Sequence, residues 1–389
     1  MGNHCKYYER QGWFYKVMSK LDNSNTILIT DYNAPYGGNL LRSFIALEKQ
    51  MVSDGNQLFY LFPKRAAEKD WVIDLMHMSD KERVFFFEED PISIAKTIKK
   101  IAQKYDAKIV YAHLCRHKTQ IGIALARHLW QRGSKLVQHY HNHAKIPNNI
   151  LKRVFNIAGY KILFNGDLAI GCSKSVAESI PLSQKKKVYV DNAIDFTRLD
   201  AYDENYRILP EGDDRKTVLL FGFHYSRKGV DVALDAMAPI AEKENVVLAL
   251  CLAANKEEIE QKIIEKYGKI PNWIVFLGPR DDIGTYYHSA DIFLSAAREE
   301  GFCYSIVESV YCGDICISSR IGGCPLQIPG LYIFESENSK ELQETLVEIF
   351  HTQPEELQKR KKASREYSVV NYHVETWAKG IAEILYKVV

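Results

Sequence analysis

The sequence has no long hydrophobic run. Its best, Val246 to Ala254, is nine residues, half of the roughly 18 that a membrane-spanning helix needs. It has no excess of either charge: 51 Lys and Arg against 49 Asp and Glu leave +2, which excludes a polyelectrolyte tail and gives no footing for nucleic-acid binding. It has no Cys-x-x-Cys pair. The eight cysteines stand at 5, 115, 172, 251, 303, 312, 316 and 324. Cys172, Cys251 and Cys316 lie in apolar runs, where a thiol acts as a small hydrophobe. From Cys303 to Cys324 the gaps of eight, three and seven residues are not those of a zinc ribbon, so reduced structural cysteines are expected. The first 21 residues are too polar and aromatic for a secretory leader, and Lys6 breaks the myristoylation pattern after Gly2. Repeats and low-complexity stretches are missing too. These absences leave a soluble, cytoplasmic protein as the expectation, its 389 residues being enough for about two or three domains.

What is there is alternation. Short β-rich runs at 26–30, 57–62, 83–87, 108–112, 135–139 and 168–172 are separated by helical patterns at 39–52, 66–77, 92–104 and 120–132. A second series of strands, at 217–221, 246–252, 273–277, 291–294, 314–318 and 331–334, alternates with helices at 230–243, 257–267, 283–288, 305–312 and 340–351. Such alternation predicts α/β domains with parallel sheets built from βαβ units. The break falls at 181–195, where a basic run (Lys185 to Lys187) precedes one more strand and a turn. The expected division is 1–22 as an extension, 23–188 as one Rossmann-like domain and 189–370 as a second. A last helix, 371–389, crosses back to the first domain, with Trp377, Ile381, Ile384 and Leu385 at helical spacing. Residues 1–22 carry Tyr7, Trp13, Phe14 and Val17 among Lys6, Arg10, Lys16 and Lys20; packing on the first domain is favoured over contact with a membrane surface, because the apolar stripe is short.

Standard phosphate loops are missing: there is no G-x-x-x-x-G-K-[ST], and Tyr36-Gly37-Gly38-Asn39 is not G-x-G-x-x-G. A glycine pair at a strand-to-helix junction still lets a ligand approach backbone N–H groups, although glycines there are as often plain turn residues. Glu300-Gly301-Phe302-Cys303-Tyr304-Ser305-Ile306-Val307-Glu308 brackets a loop and a helix start between two carboxylates. Backbone N–H groups near Cys303 and Tyr304 would point at an anion there, and carboxylates can accept hydrogen bonds from sugar hydroxyls. By pattern alone the plainer reading, a capping acid and a surface acid, prevails. Gly222-Phe223-His224-Tyr225-Ser226-Arg227-Lys228-Gly229 follows a strand and precedes a helix. Cations at a helix start oppose its dipole, so Arg227 and Lys228 suggest an anionic ligand, a solvated basic loop being the plainer alternative. Alternation puts His139, His141 and His143 on one strand face, which also reads as a metal site; no carboxylate or cysteine accompanies them, and no metal is expected.

Taken in order, Asn192-Ala193-Ile194-Asp195, Arg227-Lys228-Gly229, Glu300-x7-Glu308 with Glu-Gly-Phe, Cys312-Gly313 and Ile321-Gly322-Gly323 resemble the retaining nucleotide-sugar glycosyltransferases of sequence family 4. The resemblance covers almost the whole chain from about Thr26. It implies the GT-B fold, two Rossmann-like doubly wound domains with a donor cleft between them. Carried over by position, it implies that Lys228 grips the donor diphosphate with Arg227 beside it, that Glu308 holds the ribose, and that Glu300 meets the hexose hydroxyls. Phe302, Cys303 and Tyr304 line the donor, the first two through backbone N–H groups. Gly37 and Gly38 lie close to the phosphates, Arg280 stacks beside the base, and His141 touches the donor sugar. The sequence departs from the family at Phe223, where arginine is usual and where His224 or Arg227 would substitute, at Cys303, where glycine is common, and at Ile315, where proline is common. Cys303 would narrow the sugar pocket.

The implied reaction is transfer of a hexosyl group from a nucleoside diphosphate sugar, UDP-sugar favoured, to a hydroxyl of a glycan or lipid-linked acceptor with retention. It serves cell-surface polysaccharide or glycoconjugate synthesis, with no metal ion, no cofactor and no nucleic-acid partner. His113, Arg116, His117 and Lys118 form a basic loop expected to meet a phosphate-bearing acceptor, an exposed basic loop being an equal reading; peripheral contact with the inner membrane face goes with it. A non-catalytic nucleotide-sugar-binding protein and a nucleotide-sugar epimerase, both of the same fold, are the alternatives.

Overall fold

The computed structural model describes residues 24–79, 81–129, 134–162, 166–252 and 255–389; the expectations for residues 1–22 and for Cys5 lie outside them. Contacts divide the chain into two units. Unit 1 takes in 24–172, Ala177–Val190 and Val374–Val389, and unit 2 takes in Ser173–Val176 and Asp191–His373.

Unit 1 is built on seven strands: β1 (Thr26–Thr30), β2 (Leu58–Pro63), β3 (Val84–Phe87), β4 (Ile109–His113), β5 (Lys135–Tyr140), β6 (Leu168–Gly171) and β7 (Lys187–Tyr189). They pair in parallel in the order β3-β2-β1-β4-β5-β6-β7. Unit 2 has six: β8 (Lys216–Phe221), β9 (Val246–Cys251), β10 (Ile274–Leu277), β11 (Ile292–Ser295), β12 (Ile315–Ser319) and β13 (Tyr332–Phe334). Their order is β10-β9-β8-β11-β12-β13, again all parallel. Parallel sheets carry helices on both faces, so central strands are apolar throughout; β1 and β9 are buried at every position. Each sheet reverses its winding at one place, between β1 and β4 in unit 1 and between β8 and β11 in unit 2. Loops leaving the carboxyl ends of those four strands are where such sheets bind ligands.

The helices follow local chemistry. In Pro91–Tyr105, the Asp90 side chain accepts from the Ser93 N–H at 2.8 Å, Pro91 occupies the first turn, and Asp106 ends the helix with φ of 48°; all three are recognised stop and start devices. The helix expected at 120–132 starts earlier, as His117–Leu129, and the one expected at 230–243 ends as Val230–Met237. Helices Ile150–Ile162, Lys174–Ser179 and Pro354–Asn371 were not anticipated. The last of these buries only Ser364 and Ser368, so it has no apolar stripe for periodicity to find; Pro354 with Glu355 and Glu356 was the available signal. Helix Val374–Val388 belongs to unit 1, burying Trp377, Ile381, Ile384 and Leu385. It packs on helix Gly38–Ser53, and the Tyr386 hydroxyl donates to Asp54 at 2.9 Å. No helix among the described residues is long and apolar enough to cross a membrane.

Candidate functional site

In unit 2 the loops after β8 and β11 meet at the reversal of the sheet. Gly229 makes this possible. Its φ is +67°, and a Cβ there would stand 2.0 Å from the Ala296 carbonyl oxygen, so only glycine lets the β8 loop lie on the backbone after β11. Arg298, which sequence reasoning missed, fastens the two. Its N–H donates to the Arg227 carbonyl at 2.9 Å, and its guanidinium makes two 2.8 Å bonds to Asp231. Lys228 Nζ then lies 2.5 Å from Glu300 Oε1, with Arg227 3.6 Å from Oε2. The side chains of Lys228 and Glu300 are only 17% and 11% exposed. Two cations on one carboxylate leave one positive charge in a partly dry place, which an anion would balance. A small cavity beside them is lined by Phe221, Lys228, Ser295 and Ser305.

Gly229→Ala is expected to cost at least about 2 kcal/mol, because the left-handed backbone and the carbonyl clash act together. Gly268→Ala, also at positive φ (+77°) but with nothing within 4 Å, should cost about 1 kcal/mol from backbone strain alone. Urea midpoints of the two variants read the difference, and equal shifts would refute the close approach.

The segment Ile321-Gly322-Gly323 lies across the Glu300 loop. A Cβ at Gly323 would stand 1.8 Å from the Glu300 carbonyl oxygen, and the Cys303 N–H donates to the Gly323 carbonyl at 2.9 Å. The expectation that the Cys303 N–H faces an anion is therefore corrected: that donor is already spent. The Tyr304 N–H turns back to the Phe302 carbonyl at 3.2 Å, and the Phe302 ring is buried against Tyr304 and Tyr372. The buried Cys303 thiol lies 3.5 Å from Ser295 Oγ and 3.4 Å from Ser305 Oγ. A hydrogen bond from Cys324, and then the nearby Lys228 charge, pull its pKa below the usual thiol range against burial, while Cys324 moves up.

Glu308, in helix Tyr304–Cys312, is buried. The resemblance gives Glu308 the donor ribose; here its Oε1 accepts from Arg198 and its Oε2 from the Tyr287 hydroxyl at 2.8 Å. Asp195 explains Arg198: its carboxylate accepts from the Thr197 N–H at 3.1 Å and starts the turn Phe196–Leu199, which aims Arg198 at the helix. Arg280 is held edge-on by Asp282 at 2.8 and 2.7 Å and lies over the Tyr206 ring at 4.8 Å. Phe223 is 44% exposed and stacks on Phe221 at 5.6 Å. His224 Nδ1 accepts from the Arg227 N–H at 3.3 Å, so it shapes this loop.

In unit 1, Gly37 and Gly38 open helix Gly38–Ser53, Gly38 with φ of +54° and Gly37 so close to Leu41 that a Cβ would come to 2.7 Å. His113 is not part of an exposed basic loop: it is the last residue of β4 and buried, whereas Arg116, His117 and Lys118 are exposed. Asp31, also missed, fixes the turn between them by accepting from the Arg116 N–H at 2.5 Å and from Thr119 Oγ1 at 2.9 Å. The expected face of His139, His141 and His143 is corrected as well. Strand β5 ends at Tyr140, so alternation does not extend to His143, and the histidine that joins His139 and His141 is His113. His141 Nε2 lies 2.9 Å from His113 Nε2. Burial pushes all three well below the ordinary histidine range, His141 to about 3, so they are neutral at pH 7.

Residues 215–352 match the family described as glycosyl transferases group 1. Over 150 residues, 38% of this chain, the sequence is 23% identical to a subunit of the phosphatidylinositol N-acetylglucosaminyltransferase of Arabidopsis thaliana. Over 57% of this chain it is 24% identical to N,N'-diacetylbacillosaminyl-diphospho-undecaprenol alpha-1,3-N-acetylgalactosaminyltransferase of Campylobacter jejuni. The matched regions span 32% and 59% of those relatives. The structure of Anabaena Alr3699/HepE in complex with UDP is similar over 93% of this chain and 100% of that chain, with a TM-score of 0.73 at 17% identity, and the same protein is known with UDP-glucose. That likeness carries the fold: two parallel-sheet α/β units of the GT-B type. Residues 215–352 are thus similar to the group 1 glycosyltransferases, and both units share the fold of the GT-B type.

Proposed function

We propose that the chain moves a hexosyl group from a UDP-sugar to a hydroxyl of a glycan or lipid-linked acceptor, with retention at the anomeric carbon. The observation that carries this is the Lys228–Arg227–Glu300 cluster at the strand reversal of unit 2, with two cations around one carboxylate. Lys228 suits a diphosphate as a compact point charge. During transfer the bond from the anomeric carbon to the phosphate oxygen breaks and the bond to the acceptor oxygen forms on the same face. The departing phosphate takes the acceptor proton, and UDP leaves. Negative charge grows on the diphosphate in that step, and Lys228 with Arg227 stabilises it without metal help. Glu300 holds Lys228 in place and offers its second oxygen to hexose hydroxyls. Glu308 positions helix Tyr304–Cys312 through Arg198 and Tyr287.

The donor choice is supported by the Anabaena protein's complexes with UDP and UDP-glucose. A lipid-linked acceptor is supported by the Campylobacter relative, whose name gives a diphospho-undecaprenol acceptor. On this chain Arg116 and Lys118 are exposed cations of unit 1 suited to such a phosphate. Synthesis of glycoconjugates, at the cytoplasmic face of a membrane, follows from that acceptor class.

The test incubates the purified chain with UDP-glucose, UDP-N-acetylglucosamine and UDP-N-acetylgalactosamine, with and without a detergent-solubilised lipid diphosphate saccharide. Mass spectrometry and anomeric NMR read the products. The expected result is acceptor extended by one sugar with the donor's configuration kept. Intact donor in every mixture would favour a binding protein; an epimerised sugar with free UDP would favour an epimerase. Phe223, exposed where the resemblance implies arginine, is the observation that keeps those two readings in the experiment.

A further inference from the structure

We propose that His113, His139 and His141 form a three-nitrogen site for Zn²⁺ at the carboxyl ends of β4 and β5. The register of the sheet makes the cluster. In the parallel pair β4–β5 the residue beside His113 is His139, so their side chains rise from the same face about 4.8 Å apart. His141 stands two residues beyond His139 and returns to that face. The three rings form a nearly equilateral triangle, with centroid separations of 4.8, 4.3 and 4.5 Å.

One ligand nitrogen from each ring lies within 4.8 Å of the others, and His113 Nε2 and His141 Nε2 are already 2.9 Å apart. Zinc–nitrogen bonds of about 2.0–2.1 Å place tetrahedral ligands about 3.3–3.4 Å from one another, so closing the set means widening that pair slightly and drawing the third nitrogen in. His139 Nε2 is buried and has no protein hydrogen-bond partner among the described residues, while His139 Nδ1 is 2.6 Å from the Tyr111 hydroxyl. If that hydroxyl donates, a buried Nε2–H is left orphaned; if it accepts, a buried lone pair is. A cation uses the second arrangement, with Nδ1–H anchored on Tyr111 as ligating histidines are commonly anchored through their other nitrogen. Three imidazoles are a known zinc ligand set that leaves a fourth position for water or a substrate oxygen, so the expectation of no metal that the missing carboxylate and thiolate suggested is reversed. The Trp377 indole stacks on His139 at 6.3 Å, and its Nε1–H is likewise buried without a protein partner. The site lies one strand from the reversal of unit 1, on the ligand-binding end of the sheet. It does not depend on the transferase reading.

The experiment dialyses the full chain against Zn²⁺ alone and measures retained metal, then repeats the titration with Co²⁺ and records the visible spectrum. One zinc per chain and a tetrahedral cobalt spectrum without a thiolate charge-transfer band are expected. His113→Gln and His139→Gln should each abolish retention, and Tyr111→Phe should weaken affinity by about 10–100-fold. Retention that is absent in the wild-type chain, or unchanged in the His113→Gln/His139→Gln double variant, overturns the site. Circular dichroism checks folding of each variant. Where a histidine variant does not fold, the wild-type cobalt spectrum decides: an octahedral or thiolate-ligated spectrum refutes the assignment.

Discussion

Lys228→Ala is expected to lower kcat/KM for sugar transfer by about 10²–10³-fold, the usual effect of removing one preorganised group that meets developing charge. The loss should fall mainly on kcat, because the diphosphate gains most of its charge in the transition state. Stability should change far less. Glu300 would lose its 2.5 Å partner but keep Arg227 at 3.6 Å, a loss of about 1–2 kcal/mol for a mostly buried carboxylate. Lys228→Arg should recover only part of the rate, since a planar fork does not reproduce a point charge on a four-carbon stem. Glu300→Gln is expected to reduce transfer as well, because the neutral amide no longer fixes the ammonium. Steady-state kinetics with thermal midpoints on the same preparations separate the two effects. Unchanged transfer in both Lys228→Ala and Glu300→Gln would remove the cluster from the mechanism.

Glu308→Ala is expected to be the most destabilising single change at the site, at about 3 kcal/mol, because it strands a mostly buried guanidinium. Arg198 Nε already has no protein partner among the described residues, and Tyr287 would lose the acceptor of its buried hydroxyl. For a unit of this size that loss lowers Tm by about 6–12 °C. The double variant Arg198→Met/Glu308→Leu should regain much of it, since apolar pairs often replace buried ion pairs at little cost. A Tm for Glu308→Ala within a degree or so of wild type would show that the pair does not hold helix Tyr304–Cys312.

Much of this was legible in the sequence where chemistry is local. Strand positions in both sheets follow from runs such as Val246–Cys251, and Arg227, Lys228 and Glu300 stand in short local motifs whose roles the family resemblance supplies. What was not legible depends on residues distant along the chain. Arg198 lies 110 positions from Glu308, and nothing periodic links them; the turn started by Asp195 was the available clue. Gly323 was noted as part of a motif, but its reason, contact with the Glu300 carbonyl, exists only after the loop is folded. His113 was placed in a loop because β4 runs one residue further than expected, and that one residue separates an exposed cation from a buried neutral ring. His143 was grouped with His139 and His141 by extending alternation beyond the end of β5, whereas the third histidine comes from the neighbouring strand through its register. Periodicity describes one element at a time and cannot supply pairings between elements.

The cations after β8 in unit 2 are expected to bind a nucleoside diphosphate. Calorimetric titration of UDP into the full chain and into Lys228→Ala tests it most directly, with the folded state of each checked beforehand. Saturable binding to the wild-type chain is expected, with an affinity lower by about tenfold or more in the variant, the worth of one charge-assisted contact. UDP binding of equal strength in both proteins would contradict it.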